Sequence, residues 1–433
     1  MSPTALGIMG ILVLLLLLLL RMPVGLAMGL VGFCGYSFLT SIEGAFGVLR
    51  SVPYFTSASY DLSVLPLFLL MGSLAYQSGM SKSIYDSAYH WVGDAPGGLA
   101  IATIIGCAGF AAVSGSTLAT AATMGMISLP EMRKYKYDQG LATGSVASGG
   151  ALGILIPPSS IFIIYGVITE QSIGKLFIAG IAPGILLSAL FIACIYFRTK
   201  INPKIGPKAQ RFTLKEKIVS LKGSWQILLL FLLIMGGLYI GVFTPTEAAG
   251  VGAFSAFAFA LIKRRLNFTV LNKALLETIQ TTAMVFVIVI GAMIFGYFLA
   301  VSRVPFELST FVGNLPVSPY VVLICILFVY LILGCILDTF AMVILTVPIF
   351  YPVILKLGFD PIWFGVIMVL ISEMGVITPP VGMNVYVIRG VAEDVALNTI
   401  FKGILPFLMM MLICIVLVIV FPQIALFLPN MMK

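Results

Sequence analysis

The chain has 433 residues, of which 61% are hydrophobic and 9% are charged, with a mean hydropathy of +1.15 and a formal net charge of +8. This composition excludes a soluble globular domain and predicts an all-α polytopic membrane protein with room for about ten spans of ~20 residues. Because the basic residues cluster in short loops between apolar runs, positive-inside topology explains the net charge better than nucleic-acid binding does. The six cysteines lie singly in apolar runs, which predicts small buried residues and no metal site.

The first apolar run, residues 5–20, has no basic region before it and no small-residue cleavage site before Arg21, so we predict a span and not a signal peptide. Further apolar runs extend the set of predicted spans along the chain. The spans are 4–20, 23–40, 57–78, 140–172, 177–197, 225–243, 245–262, 278–300, 363–388 and 402–421. The stretches 81–93, 198–222 and 302–314 are predicted to lie at the membrane interface.

Two more apolar segments, 97–130 and 318–352, are interrupted midway by small and polar residues. The interruptions are Ser114–Thr117 in the first segment and Gly334–Thr339 in the second. Each segment is either a pair of full spans or a re-entrant hairpin that enters and leaves the membrane on one side. The polar residues at the midpoints favour the hairpins.

Two breaks carry the strongest functional signal. Residues 149–166 and 373–390 each place a glycine and a Pro-Pro pair inside a run apolar enough to cross a bilayer. A Pro-Pro pair removes two backbone donors and breaks the helix, which hydrocarbon tolerates only where the freed groups are buried in protein or line a cavity. Two such breaks at matching positions of two halves are typical of a secondary transporter, with ions and substrate bound at the breaks.

The chain also repeats itself. A shift of 222 residues places Pro23 on Pro245, Thr117 on Thr339, Pro130 on Pro352, Asp138 on Asp360, Gly153 on Gly375 and the first Pro-Pro pair on the second. Counting crossings from the basic loop 130–138 puts the linker 198–222 in the cytoplasm and the loop at Lys356 on the opposite side, which indicates inverted copies. We therefore predict a first repeat at 1–200, a basic linker at 201–224 and a second repeat at 225–433.

The interrupted segments supply oxygen atoms suited to Na⁺. Unwound backbone offers carbonyl groups, and helix N-termini favour anionic groups of a substrate. Side-chain oxygens at the same depth come from Ser114, Ser116 and Thr117 in the first half and from Asp338, Thr339 and Thr378 in the second. The alternative is that the small residues only permit close helix packing and the prolines only kink. Two breaks in register favour the binding site.

Single residues have competing explanations. Asp338 is a carboxylate inside a membrane segment, which costs ~2.5–3.5 kcal/mol and marks a functional candidate, although it can also cap a helix. Glu373 is either a second ligand or a buried hydrogen-bonding partner, and Asn384 either reaches the ion or substrate or is structural. Arg389 either pairs with a substrate carboxylate or snorkels to the interface. Glu247 follows a proline at a helix start, where we predict a structural role.

Several chemistries find no support in the sequence. There is no GxxxxGK[ST] loop for ATP, no HExxH or GxSxG motif, and one histidine is too few for a zinc site or a triad. The sequence therefore predicts that the chain is not an enzyme. A channel is also disfavoured, because no ring of charge or repeated filter is present.

Four motifs carry a family resemblance along nearly the whole chain. They are SGSTLA (114–119), GILIPPS (153–159), GCILDTFAMVILTVPIFYP (334–352) and GVITPPVGMN (375–384). With them the chain resembles the large membrane subunit of the TRAP (tripartite ATP-independent periplasmic) transporters. The resemblance implies Na⁺-coupled import of small organic acids, such as C4-dicarboxylates or sialic acid, across a bacterial inner membrane. It also implies a separate four-helix membrane subunit and a periplasmic substrate-binding protein as partners.

The resemblance further implies an elevator movement, with spans 4–78 and 225–300 as scaffold. The moving domain would contain hairpins 97–130 and 318–352, broken helices 140–172 and 363–388, and spans 177–197 and 402–421. Carried over by motif, one Na⁺ site comprises Ser114, Gly115, Ser116, Thr117, Gly153, Ile156 and Pro157, and the other comprises Gly334, Asp338, Thr339, Gly375, Thr378 and Pro379. The predicted substrate residues are Pro158, Ser159, Pro380, Gly382 and Asn384, together with Arg389, which lies outside the motifs that carry the resemblance. The rival interpretation is a stand-alone Na⁺/divalent-anion symporter that needs no binding protein.

Overall fold

A computed structural model describes residues 2–432, which form twenty α-helices and contain no strand. The first ten helices are α1 Pro3–Leu19, α2 Val24–Leu39, α3 Ile42–Ser57, α4 Val64–Gln77, α5 Met80–Val92, α6 Gly98–Ser114, α7 Thr117–Lys134, α8 Gln139–Gly150, α9 Ser160–Thr169 and α10 Ile173–Ile201. The others are α11 Leu214–Tyr239, α12 Pro245–Ile262, α13 Phe268–Ser302, α14 Val304–Gly313, α15 Pro319–Gly334, α16 Thr339–Lys356, α17 Pro361–Ile377, α18 Met383–Val391, α19 Leu397–Val420 and α20 Gln423–Asn430.

By length and composition, six of these helices can cross a membrane: α10, α11, α12, α13, α16 and α19. A seventh span is possible if α3 and α4, which meet at a 54° bend, count together. This number is smaller than the predicted ten, because several predicted spans are shorter or broken helices. The apolar helices α1, α2, α6, α9, α15 and α17 each have between 10 and 17 residues.

The two interrupted segments fold as pairs of helices, α6 with α7 and α15 with α16, that pack against each other. Each turn is closed by a side chain that caps the second helix. Ser116 Oγ accepts the N–H of Ala119 at 3.3 Å, and Asp338 Oδ1 accepts the N–H of Ala341 at 3.0 Å. Such caps stabilise a helix start by ~1 kcal/mol. The capping residues are 222 positions apart, so the sequence repeat reappears as a repeated local structure.

Both Pro-Pro pairs interrupt helices where the sequence predicts a break. The first interruption separates α8 from α9, and the second separates α17 from α18; both Pro-Pro bonds are cis. Their surroundings differ. Residues 151–160 are buried throughout, with Gly180 and Gly184 of α10 lying against Leu155 and Ile156. At the second break Pro379, Pro380 and Val381 are exposed.

The helices around the breaks pack closely. Helix α8 lies on α19 through Gly140 and Gly403, where a Cβ atom at Gly403 would clash with the Gly140 carbonyl oxygen. Helix α2 lies on α13 in the same way through Gly25 and Gly291, and α4 packs on α12 and α13. Small residues of this kind allow close helix contact where the surrounding lipid provides no hydrophobic drive for association.

Several predicted boundaries are wrong. The linker is shorter than 201–224, because α10 continues to Ile201 and α11 begins at Leu214, where Thr213 and Glu216 form a capping box. Helix α13 has 35 residues and extends well beyond the predicted 278–300. Helix α3 is not predicted at all, because its polar residues interrupt the apolar run.

Other structural predictions fare better. Helices α5 and α14 form in two of the stretches predicted to be interfacial, 81–93 and 302–314, and their location at a membrane interface stays a prediction. Glu247 has the predicted structural role, because it forms a capping box with Thr244 at the start of α12. The cysteines are free, but only four of the six are buried, since Cys34 and Cys325 are exposed.

Candidate functional site

One buried carboxylate connects the two hairpin turns. Glu373 of α17 is 1% exposed, and its Oε2 accepts a hydrogen bond from Thr117 Oγ1 at 2.7 Å. Its Oε1 accepts a hydrogen bond from Thr339 Oγ1 at 3.3 Å. Thr117 and Thr339 are the first residues of α7 and α16 and match in the sequence repeat. The sequence leaves the role of Glu373 open, and the structure shows that it holds both turns as a hydrogen-bond acceptor.

The first turn packs directly on the first Pro-Pro break. Gly115 has a left-handed φ of +59°, and a Cβ atom there would lie 2.8 Å from the carbonyl oxygen of Pro158. Ser160 Oγ donates to the Gly115 carbonyl at 2.7 Å. On the other side a Cβ at Gly153 would lie 2.8 Å from the Ser116 carbonyl carbon. Backbone carbonyls of the turn and the break therefore gather in one small volume.

Hydroxyl groups surround that volume. Thr120 Oγ1 donates to the Ser116 carbonyl at 2.8 Å and lies 2.9 Å from Ser114 Oγ. Ser114–Thr117 and Gly153, which are predicted for the first Na⁺ site, thus lie together. Pro158, which is predicted as a substrate residue, lies beside them. Thr120 is an additional member that the sequence analysis missed, although its position one turn after Ser116 is the available signal.

The second turn is built similarly from different residues. A Cβ atom at Gly375 would lie 2.7 Å from Gly334 Cα, so α17 touches the turn through two glycines. Asp338 is half-buried and caps α16, which is the structural one of its two predicted roles. A capping carboxylate still has lone pairs available for an ion. Thr378 Oγ1 donates to the Met374 carbonyl at 2.6 Å and so stabilises the end of α17.

The predicted substrate residues do not all converge. Ser159 is buried, and its Oγ accepts the N–H of Phe162 as the cap of α9, while Gly382, with φ +62°, caps the start of α18. Asn384 is fully buried, and its Nδ2 donates to the Ala147 carbonyl of α8 at 3.2 Å. Among residues 2–432 its Oδ1 has no hydrogen-bond partner. That orphaned acceptor keeps Asn384 a candidate ligand.

Arg389 lies apart from the turns. Its Nη1 donates to the backbone carbonyls of Ala392, Glu393 and Val395 at the end of α18. A basic side chain at a helix C-terminus is favoured by the helix dipole. These bonds favour a role of Arg389 at the helix end over the alternative contact with a substrate carboxylate.

The donor set determines which ions can bind. In the described part of the chain no three His, Cys, Asp or Glu side chains cluster as a metal site. The turns instead offer backbone carbonyls, hydroxyls and isolated carboxylates. Such hard oxygen ligands fit an alkali or alkaline-earth cation and not a transition metal that prefers nitrogen or sulfur.

Sequence reasoning missed one further polar group, Glu277 of α13. Its Oε2 accepts a hydrogen bond from Ser73 Oγ at 2.6 Å, and its Oε1 accepts one from Gln77 Nε2 at 2.8 Å. The predicted span begins at residue 278, which leaves Glu277 just outside it. An acidic residue at the edge of an apolar run was the available signal.

Paired helical hairpins whose turns contact two broken helices, with buried oxygens between them, define a membrane transport protein. A family model described as "Tripartite ATP-independent periplasmic transporter, DctM component" matches residues 11–424. The chain belongs to this family, the large permeases of TRAP transporters, whose members are permeases and not enzymes. In general these permeases work with a small membrane subunit and a periplasmic binding protein.

Individual relatives agree with this assignment. The chain is 39% identical over 376 residues to the C4-dicarboxylate TRAP transporter large permease protein DctM of Pseudomonas aeruginosa, covering 87% of each chain. It is 35% identical over 416 residues to the sialic acid TRAP transporter large permease protein SiaM of Vibrio cholerae, covering 95% of each. The fold is similar to that of the Alcanivorax borkumensis YdaH transporter, with a TM-score of 0.65 and 14% identity over 99% of this chain and 98% of that one. This last likeness shows the fold alone.

Proposed function

We propose that the chain is the permease subunit of a Na⁺-coupled, binding-protein-dependent symporter that imports small organic acids by an elevator mechanism. The observation that carries the proposal is the link between the two turns, in which Glu373 accepts hydrogen bonds from both Thr117 and Thr339. Two relatives are named for C4-dicarboxylate and for sialic acid. Both compounds are carboxylates, so the proposed substrate class is a small organic acid.

The proposed cations bind where the turns meet the breaks. At the first turn the carbonyls of Gly115 and Pro158, with the hydroxyls of Ser114 and Ser116, supply hard oxygens. At the second turn Asp338 and Thr378 do so, with the carbonyls that lose their helical partners where α17 ends. The second turn includes a carboxylate, so the second cation is held by charge as well as by dipoles.

The substrate is proposed to bind between the turns. Helices α7 and α16 both begin there, and helix N-termini carry a partial positive charge that favours a carboxylate. Bound Na⁺ adds positive charge nearby. Substrate affinity therefore rises when Na⁺ is bound, and by linkage Na⁺ affinity rises when substrate is bound. This reciprocal effect is what couples uptake to a Na⁺ gradient.

The proposed movement needs two rigid parts. We assign α1–α4 and α11–α13 to a scaffold, and α6–α10 and α15–α20 to a moving transport domain, with α5 and α14 as connecting arms. Matching helix starts 222 residues apart, at Thr117 and Thr339 and at Gln139 and Pro361, support two copies of one unit. Inverted orientation of the copies, as the loop charges predict, would let the same contacts form on either side of the membrane.

The proposed setting follows from the same charges. The chain is a multi-pass membrane protein, which we place in a bacterial inner membrane with the basic stretch 198–222 on the cytoplasmic side. Its proposed partners are a small four-helix membrane subunit and a periplasmic substrate-binding protein that delivers the acid from the far side.

Uptake by proteoliposomes tests the proposal. Vesicles holding the chain and its small subunit receive labelled carboxylates, with and without a Na⁺ gradient and the binding protein. Accumulation that needs both supports the tripartite symporter. Accumulation from free substrate without the binding protein would favour a stand-alone carrier, and flux that never exceeds equilibrium would refute coupling.

A further inference from the structure

A cavity of about 280 Å³, lined by apolar side chains and by several polar ones, lies between helices α4 and α13 on one side and the first hairpin, α6 and α7, on the other. Glu277 and Thr281 of α13 and Ser73 of α4 line one wall. Ser114 and Ser116 of the hairpin turn line the opposite wall. The cavity therefore joins a carboxylate on one group of helices to the turn hydroxyls on the other.

The two walls are in direct contact beside the cavity. A Cβ atom at Gly72 would lie 2.9 Å from the Val113 carbonyl oxygen and 3.0 Å from Ser114 Cα. Only a residue without a side chain lets α4 approach the turn this closely. In the conformation described, this contact places Glu277, on the neighbouring α13, beside the turn.

The Glu277 carboxylate is oriented but not neutralised. Ser73 Oγ and Gln77 Nε2, one helical turn apart on α4, each donate to a different carboxylate oxygen, at 2.6 and 2.8 Å. The ion pairs formed by residues 2–432 are Arg133–Asp394, Arg211–Asp94 and Lys217–Asp94, and none includes Glu277. A carboxylate has about four lone-pair positions, so two donors leave others free. Half-buried and without a cationic partner, this charge favours a cation in the cavity.

We propose that the cavity is a binding site for a hard monovalent cation, with Glu277 as its charged ligand and the facing hydroxyls as its neutral ligands. The identification of that cation as Na⁺ rests on the proposed function. The site lies beside the first turn, so a cation held by Glu277 is positioned to pass to or from the oxygens of Gly115 and Ser116. A free carboxylate substrate is repelled from this cavity by the same charge.

A different role for Glu277 makes a different prediction. The bonds from Ser73 and Gln77 also tie α13 to α4, and a purely structural brace would act on stability and on the maximal rate of uptake. A cation ligand acts on the Na⁺ concentration that gives half-maximal uptake. Glu277→Gln keeps the size of the side chain and removes its charge, so it separates the two roles.

The test is Na⁺-dependent uptake by the complete system of permease, small subunit and binding protein in proteoliposomes. For Glu277→Gln we expect the half-saturating Na⁺ concentration to rise about tenfold, equivalent to about 1.4 kcal/mol, with the rate at saturating Na⁺ within about twofold of wild type. Glu277→Asp keeps the charge and is expected to stay closer to wild type. Glu43→Gln makes the same charge change at an exposed position of α3 and should leave the Na⁺ dependence unchanged.

Melting temperature in Na⁺ against N-methyl-D-glucamine supplies a second readout that needs no transport. We expect the Na⁺ concentration at the midpoint of the stabilisation to rise in Glu277→Gln. If wild-type uptake does not depend on Na⁺, the proposed coupling fails, and a midpoint that still shifts supports the cavity site on its own. An unchanged midpoint and half-saturation in Glu277→Gln, or a loss of maximal rate alone, overturns the cavity site. If Glu277→Gln does not fold, Ser73→Ala removes one orienting donor, and we expect a two- to threefold rise; no rise overturns the proposal.

Discussion

The link through Glu373 predicts an unequal dependence on its two threonines. Replacing Thr117 or Thr339 by valine keeps the side-chain volume and removes the hydroxyl that donates to the carboxylate. The Thr117 bond, at 2.7 Å, lies within the usual range for an O–H···O hydrogen bond, whereas the Thr339 bond, at 3.3 Å, lies beyond it. Thr117→Val should therefore destabilise the fold more than Thr339→Val does.

The expected magnitude follows from burial. Glu373 is 1% exposed, so water cannot replace a lost donor at its carboxylate. Leaving a buried acceptor one donor short costs roughly 1–3 kcal/mol, more if the acceptor is charged. We expect about 2 kcal/mol for Thr117→Val and about 0.5–1 kcal/mol for Thr339→Val. Because both threonines share one carboxylate, the double variant should deviate from the sum of the single effects.

Thermal unfolding of the purified permease, with Na⁺ titrations of uptake beside it, measures both effects. The control is Thr103→Val, a buried threonine whose hydroxyl donates to the Leu99 carbonyl of its own helix and touches no carboxylate. The expected result is that Thr117→Val lowers the stability of the permease more than Thr339→Val or Thr103→Val does. If Thr339→Val costs as much as Thr117→Val, or if both equal Thr103→Val, then the carboxylate does not depend on these donors and the reasoning is refuted.

Three further predictions concern single positions. Asp338→Ser keeps a helix cap but removes the charge, so we expect near-normal stability and a raised half-saturating Na⁺ concentration if Asp338 binds the ion. Uptake by Asp338→Ser equal to that of the wild type would show that Asp338 is a cap alone. Asp338→Ala loses the cap in either case, at a cost of about 1 kcal/mol of stability. Gly115→Ala should abolish uptake, because φ there is +59° and a carbonyl oxygen lies 2.8 Å from the new Cβ atom. The control Gly47→Ala, whose Cβ atom meets no other atom within 4 Å, should leave uptake unchanged. Normal uptake by the Gly115→Ala variant would contradict this prediction. Arg389→Gln should lower the melting temperature with an unchanged KM for substrate, and a large rise in KM would instead assign Arg389 to the substrate.

The sequence predicted the breaks because Pro-Pro pairs act locally. Whatever surrounds Pro157 or Pro379, the helix must end before it, and the hairpin turns follow equally from short polar residues inside apolar runs. The cap at Asp338, one of the two roles predicted for that residue, is local in the same sense. These features need no knowledge of tertiary contacts, which explains why their positions were correct to within a few residues.

Features that depend on distant contacts were not predictable in this way. The bonds from Thr117 and Thr339 to Glu373 span 256 and 34 residues, and those from Ser73 and Gln77 to Glu277 span 204 and 200. No periodicity or spacing signals such partners. Hydropathy also cannot locate a helix end made of polar residues. The predicted linker therefore extends to residue 224, although a capping box starts α11 at Leu214.

The repeat constrains the backbone more strongly than the chemistry. Thr117 and Thr339 occupy the same position in the two halves, yet one shared glutamate accepts from both, and Ser116 corresponds to the charged Asp338. A single acceptor cannot serve both turns independently, because a shift that shortens one bond moves the carboxylate relative to the other. Under the proposed coupling, occupation of one turn by Na⁺ therefore changes the geometry of the other. We expect the two cations to bind cooperatively, with a Hill coefficient above one that falls when either threonine hydroxyl is removed.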